Sequence, residues 1–139
     1  MNRKLLLLAC LMLPACALFQ RPFRPVRAPP EEAAQIKIPM ALPEEGQQVI
    51  RGPMAAAIQL AMDDFLPREL KLPRDASPED MCLHSRESYD VFAAPGPEGI
   101  IFVRLTLSPE ACRMNGILLD MEATYAIDVK GWRILRIKD

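Results

Sequence analysis

The sequence predicts an α+β fold, with one N-terminal helix packed on a four-stranded antiparallel meander sheet and, before them, a signal peptide and a proline-rich tether. Three observations predict it. Apolar residues recur at helical spacing just after Gly52-Pro53, apolar and polar residues alternate in the runs that follow Tyr89, and almost nothing before residue 52 has a sustained apolar period. The expected organisation is a signal peptide over 1–15, a tether over 16–51 and a small α+β domain over 52–139.

With 139 residues and a formal net charge of -1, the chain suits a single domain and carries no electrostatic footprint for nucleic acid. Asn2-Arg3-Lys4 supplies a positive start, and Leu5 to Leu13 is a nearly unbroken apolar run, which is the layout of a secretory signal. The run breaks at Pro14, short of the roughly 20 apolar residues that a membrane-spanning helix needs.

Leu13-Pro14-Ala15-Cys16 resembles the lipobox of bacterial lipoproteins, with a small residue before the cysteine and an aliphatic one three before it. Pro14 departs from the usual middle residue. Leu7-Leu8-Ala9-Cys10 has the same spacing, but cleavage there leaves an apolar region of only about five residues. The resemblance implies lipid on Cys16, and the competing expectation is an ordinary cleaved signal without lipid. It also implies sorting to the outer membrane, facing the periplasm, because Ala17 stands where an inner-membrane retention aspartate often does.

The tether carries Pro22, Pro25, Pro29, Pro30, Pro39 and Pro43. Proline fixes its own φ and restrains the residue before it, so the stretch should be extended, reaching on the order of 100 Å at most. Arg21, Arg24 and Arg27 recur every third residue, aligned on one edge of a polyproline helix either to meet lipid headgroups or simply to stay solvated. Glu31 to Met40 suggests a short local element, without choosing between helix and strand.

Gly52-Pro53 opens the helix, since proline at the first position loses no intrahelical bond. Met54, Ile58, Met62 and Phe65 form one stripe, with Ala55 and Ala61 beside it and Gln59, Asp63 and Asp64 away; Pro67 stops it. Tyr89, Val91 and Ala93 then alternate, Pro95 to Gly99 turns, and Ile101, Val103, Leu105 and Leu107 alternate against Phe102, Arg104 and Thr106, giving a hairpin.

The longest alternating run is Leu119, Met121, Ala123, Tyr125, Ile127 and Val129, followed by a turn at Lys130-Gly131 and a last strand over 132–137. Two registers compete for that strand. A three-residue loop with Gly131 left-handed pairs Asp128 with Trp132 and Ala126 with Ile134, and is preferred because a two-residue loop sets Arg136 opposite core-facing Tyr125. One helix followed by a four-stranded meander resembles the cystatin-like or nuclear-transport-factor-like α+β roll, a likeness of topology that licenses no activity.

Cys82 and Cys112 remain after Cys16, and an oxidising exported setting favours their pairing. Each follows a similar phrase, beginning Ser77-Pro78-Glu79 and Ser108-Pro109-Glu110, which spells two capped helical starts stapled across the first hairpin. The rival expectation is a copper(I) site, because Met81, Cys82, His84, Cys112 and Met114 are soft or borderline ligands. A disulfide would remove both thiolates, so no cofactor is expected.

An enzyme is hard to assemble from this chain. His84 is the only histidine, no phosphate loop or nucleophile elbow occurs, and the acidic pairs Asp63-Asp64 and Glu79-Asp80 fit a helix end and a capped turn. The expected function is that of a membrane-anchored, non-catalytic envelope accessory module. Its partner would be a protein or a cell-wall component, met through Trp132 and Ile134 on the outer sheet face. The alternative is a carrier of small hydrophobic ligands, with a helix–sheet pocket lined by Met54, Met62, Phe65, Met121 and Tyr125.

Overall fold

The computed structural model describes residues 25–112 and 121–139. Cys16, with the whole signal peptide, and Met114, Leu119 and Asp120 lie outside the described residues. The chain divides after Leu42 into two units, Met1–Leu42 and Pro43–Asp139.

In the first unit, α1 (Pro30–Ala33) is a single helical turn with proline at its start and Glu31 and Glu32 in that turn. Acids there complement the positive helix end. Ile36, Ile38, Met40 and Leu42 follow in irregular, exposed backbone.

The second unit opens on α2 (Gly52–Phe65), which begins with proline inside its first turn as the sequence predicts. Its buried face is centred on Ala57 and Ala61, both fully buried, together with Met62. Ala55, expected beside the stripe, is exposed. Alanine adds little to a hydropathy pattern, so the position where the helix lies closest to its neighbours is the one that large apolar residues do not mark. Ile58, Leu60 and Phe65 pack around this centre, partly buried.

The end of α2 is held by Arg86, whose Nε and Nη2 donate to the Leu66 carbonyl at 3.0 and 2.5 Å. Its Nη2 also lies 2.7 Å from Asp63 Oδ1. A cation there meets carbonyls that have no intrahelical partner.

Helix α3 (Pro78–Leu83) starts with the predicted cap. Ser77 Oγ accepts from the Asp80 amide at 3.0 Å while Asp80 Oδ2 accepts from the Ser77 amide at 3.1 Å, a reciprocal capping box. The Ser77 hydroxyl, donating to Asp80 Oδ2 at 2.7 Å, and then the Ser77 amide hold the Asp80 carboxyl below the usual carboxylate range. The matching phrase at Ser108 makes only a turn, with the Ala111 amide bonded to the Ser108 carbonyl at 3.0 Å, because the Ser108 hydroxyl donates instead to Asp90 at 2.6 Å.

Four antiparallel strands follow in the order β1-β2-β3-β4, a meander, so the fold is α+β. They are β1 (Tyr89–Pro95), β2 (Ile100–Leu107), β3 (Glu122–Asp128) and β4 (Arg133–Lys138). Ile101, Val103, Leu105, Ala123, Tyr125 and Ile127 line the face that packs with α2, each at an alternate position. Both hairpins lie at one end of the sheet, tied by the Val129 amide to the Gly99 carbonyl at 3.0 Å.

The last strand corrects the expected register. Asp128 pairs with Arg133, Ile127 with Ile134, and after a bulge Ala126 pairs with Arg136 and Tyr125 with Ile137. The loop holds residues 129–132, and the left-handed residue is Trp132, φ 48°, rather than Gly131. Asp128 explains the turn: its Oδ1 accepts from the Lys130 amide at 3.0 Å and its Oδ2 from Arg133 Nε at 3.2 Å, which holds its carboxyl below the usual range.

Tyr125 gives the core a pH limit. Burial pushes its phenol well above the ordinary value of 10, and its hydrogen bond to Asp64 Oδ2 at 3.1 Å pushes the same way. The fold retains this proton while the unfolded chain releases it, so stability is intact below pH 10 and declines as pH rises above it. Tyr125→Phe is expected to flatten much of that decline, read from urea midpoints at about pH 8 and about pH 10.5. Equal alkaline losses in both proteins would refute the assignment.

Candidate functional site

Cys82 and Cys112 lie at disulfide bonding distance, with Cα atoms 5.8 Å apart. A disulfide sulfur has no proton, so Ser88 Oγ is the donor in its 3.4 Å contact with Cys82 Sγ. Of the other soft ligands, Met114 lies outside the described residues. Met81 is exposed, and His84 Nδ1 lies 2.8 Å from the Asp80 carbonyl oxygen, to which it donates. Among the described residues no group of three His, Cys, Asp or Glu side chains is placed to hold a metal ion.

Three of the four acids in the two pairs are engaged. Asp63 lies beside Arg86 and Arg68, Asp64 accepts from Tyr125, and Asp80 caps α3. A concavity of about 490 Å³ lies beside α3, where Leu70, Leu72 and Asp75 face Asp80 and His84. Of its polar lining, Asp80 and the His84 Nδ1 are taken up by hydrogen bonds within α3 and its cap.

The expected patch of Trp132 and Ile134 divides. Trp132 is 46% exposed on the second hairpin, but Ile134 sits opposite buried Ile127 and packs against the core. Ile134 therefore leaves the outer face; the four-residue loop reversed the side it shows, and the bulge beyond it sets the register of Arg136 onward. Four of the residues expected to line a carrier pocket belong to the core or its border. Met62 and Tyr125 are packed in the core, with Phe65 and Met121 against it.

The outer face of the sheet carries a different group. Two adjacent cross-strand rows run Phe92, Arg104, Thr124, Lys138 and Ala94, Phe102, Ala126, Arg136. Phe92 is 60% exposed and Phe102 41%. With Arg104 and Thr124 they border a shallow concavity of about 190 Å³.

Two contacts steady it. Arg104 Nε donates to Thr124 Oγ1 at 3.2 Å. The Phe102 ring lies directly over Gly96, where an added Cβ would stand 2.5 Å from it. The rows hold three cations and no acid, while the next row toward the other end of the sheet holds Asp90 and Glu122. Strand alternation alone marks Phe102 and Arg104 as outward-facing, and a phenylalanine at a wet position is the signal that would have flagged this surface.

No protein-family model, curated protein or solved structure matches the chain.

Proposed function

We propose that this chain is a membrane-anchored envelope lipoprotein of the periplasm, lipidated at Cys16, whose folded part is a non-catalytic docking module. Its working surface is the bare outer face of the sheet. The observation that carries this is the pairing of two exposed phenylalanines with Arg104, Arg136 and Lys138 on the sheet face opposite α2. Exposed aromatic and basic side chains gathered on one face are the composition of a contact surface rather than of a merely solvated one.

The Cys82–Cys112 staple suits an oxidising compartment and supports an exported reading. A helix followed by a four-stranded meander supports likeness to the cystatin-like roll as architecture, and no activity comes with it. Among the described residues no helix is long and apolar enough to cross a membrane; in this reading the lipid on Cys16 is the anchor.

A photo-crosslinking amino acid placed at Phe92 in cells tests the face, with Gln59 on the exposed side of α2 as control. Adducts at position 92, to protein or to lipid, well above those at 59 are the expected result. Equal yields at both sites would sink the docking surface.

A further inference from the structure

We propose that the hairpin end of the sheet docks on an anionic bilayer surface, so that the domain rests on the membrane that its tether is anchored in. This rests on the docking reading above and names what the face meets.

The charge map selects this occupant. Toward the hairpin end the sheet presents Lys130 and Trp132 on the second hairpin, then Arg136 in the row of Phe102 with Ala126 between them, then Arg104 paired with Phe92 and Lys138 two strands further along that row. Asp128 at this end is bonded to Arg133, leaving Glu98 in the first hairpin against four other cations. The acids Asp90 and Glu122 occupy the opposite end of the outer face. A flat approach would press those acids against the headgroups, whereas a tilted one seats the hairpin end and lifts them away.

Trp132 occupies the position that such a tilt drives deepest. It is exposed, on the tip of the second hairpin, and held at positive φ although Gly131 stands next to it. A left-handed non-glycine residue is strained, and such positions cluster at functional sites. Tryptophan favours the membrane–water boundary, where its ring is buried and its N–H stays wet. The concavity between Phe92, Phe102 and Thr124 lies on the same tilted face, open to an acyl chain or glycerol group between the cations.

Trp132 is also the chain's sole tryptophan, so its fluorescence reports on this surface alone. The test uses the mature chain beginning at residue 16 with Cys16→Ser, which carries no lipid. It is mixed with vesicles of phosphatidylethanolamine and phosphatidylglycerol, or of phosphatidylcholine alone. The expected result is binding to the anionic vesicles only, with a blue shift of Trp132 emission and quenching by brominated acyl chains. Arg104→Gln with Arg136→Gln should weaken partitioning about fivefold for each charge removed, with a normal melting curve, and added salt should weaken it further.

Three outcomes would overturn the proposal. They are equal binding to neutral vesicles, no binding at millimolar lipid, and sedimentation without any Trp132 shift, which would assign the attraction to Arg21, Arg24 and Arg27 of the tether. A face that crosslinks a protein in cells yet ignores vesicles would leave the docking surface standing and replace the bilayer with that protein.

Discussion

Replacing Cys82 and Cys112 together by serine is expected to cost about 3 to 4 kcal/mol, lowering the melting temperature by on the order of 10 to 20 °C for a folded unit of roughly 100 residues. The two residues are 30 apart in sequence, so the closed loop contains the last turn of α3, all of the first hairpin and the turn at Ser108. Without the bond, the unfolded chain regains the freedom of that whole loop. The folded chain keeps the sheet ladders of β1 and β2, but the two ends of the loop are then tied chiefly by the Ser108 amide to the Ser88 carbonyl at 2.8 Å and the Tyr89 hydroxyl to the Leu83 carbonyl at 2.7 Å.

Thermal unfolding by circular dichroism, with and without reductant, measures the effect. Reductant should lower the melting point of the parent to that of the double variant and leave the variant unchanged. A parent protein indifferent to reductant, with two thiols that titrate freely, would refute the staple and return the cysteines to the copper reading.

Leu105→Ala is expected to cost about 2 to 5 kcal/mol, because Leu105 is fully buried at the centre of the face that meets α2. Its cost combines lost transfer of the side chain with the cavity left between helix and sheet. Phe92→Ala, a larger truncation, is expected to stay within about 0.5 kcal/mol, since the ring stands mostly in water. Urea denaturation of both variants compares the two faces of one sheet. Comparable losses would mean that the outer face is structurally covered, and would remove the basis for a docking surface there.

Much of this fold was legible in the residues. Pro53 and Pro67 bracket α2, whose last residue is Phe65, and Ser77 with Asp80 states the start of α3. Ile101, Val103, Leu105, Ala123, Tyr125 and Ile127 announce their burial through alternation. These signals are local, because capping and alternation act within a few residues of themselves.

Other features were not legible, each for a physical reason. Ala57 and Ala61 mark the buried centre of α2 by being small, a property that an apolar count undervalues. Ser108 repeats the phrase of Ser77 and yet caps no helix, because its hydroxyl is drawn to Asp90 on the neighbouring strand. The site residues were legible only in part. Trp132 was singled out for exposure and is exposed, whereas Ile134 was placed on the wrong face and Phe92 was not singled out at all.

By itself the sequence determined the export-like leader as an expectation, the helix, the alternation of β2 and β3 and the partnering of the cysteines. Only the tertiary structure decided the register of β4, and with it which residues share the outer face. The Asp128 turn and the bulge beside Leu135 shift the partner of every later residue. An edge strand pairs on one side, so its register depends on turn and bulge geometry as much as on its own apolar pattern. That geometry turned Ile134 inward and ranged Arg136 and Lys138 with Phe102, Phe92 and Arg104 from strands more than 25 residues away.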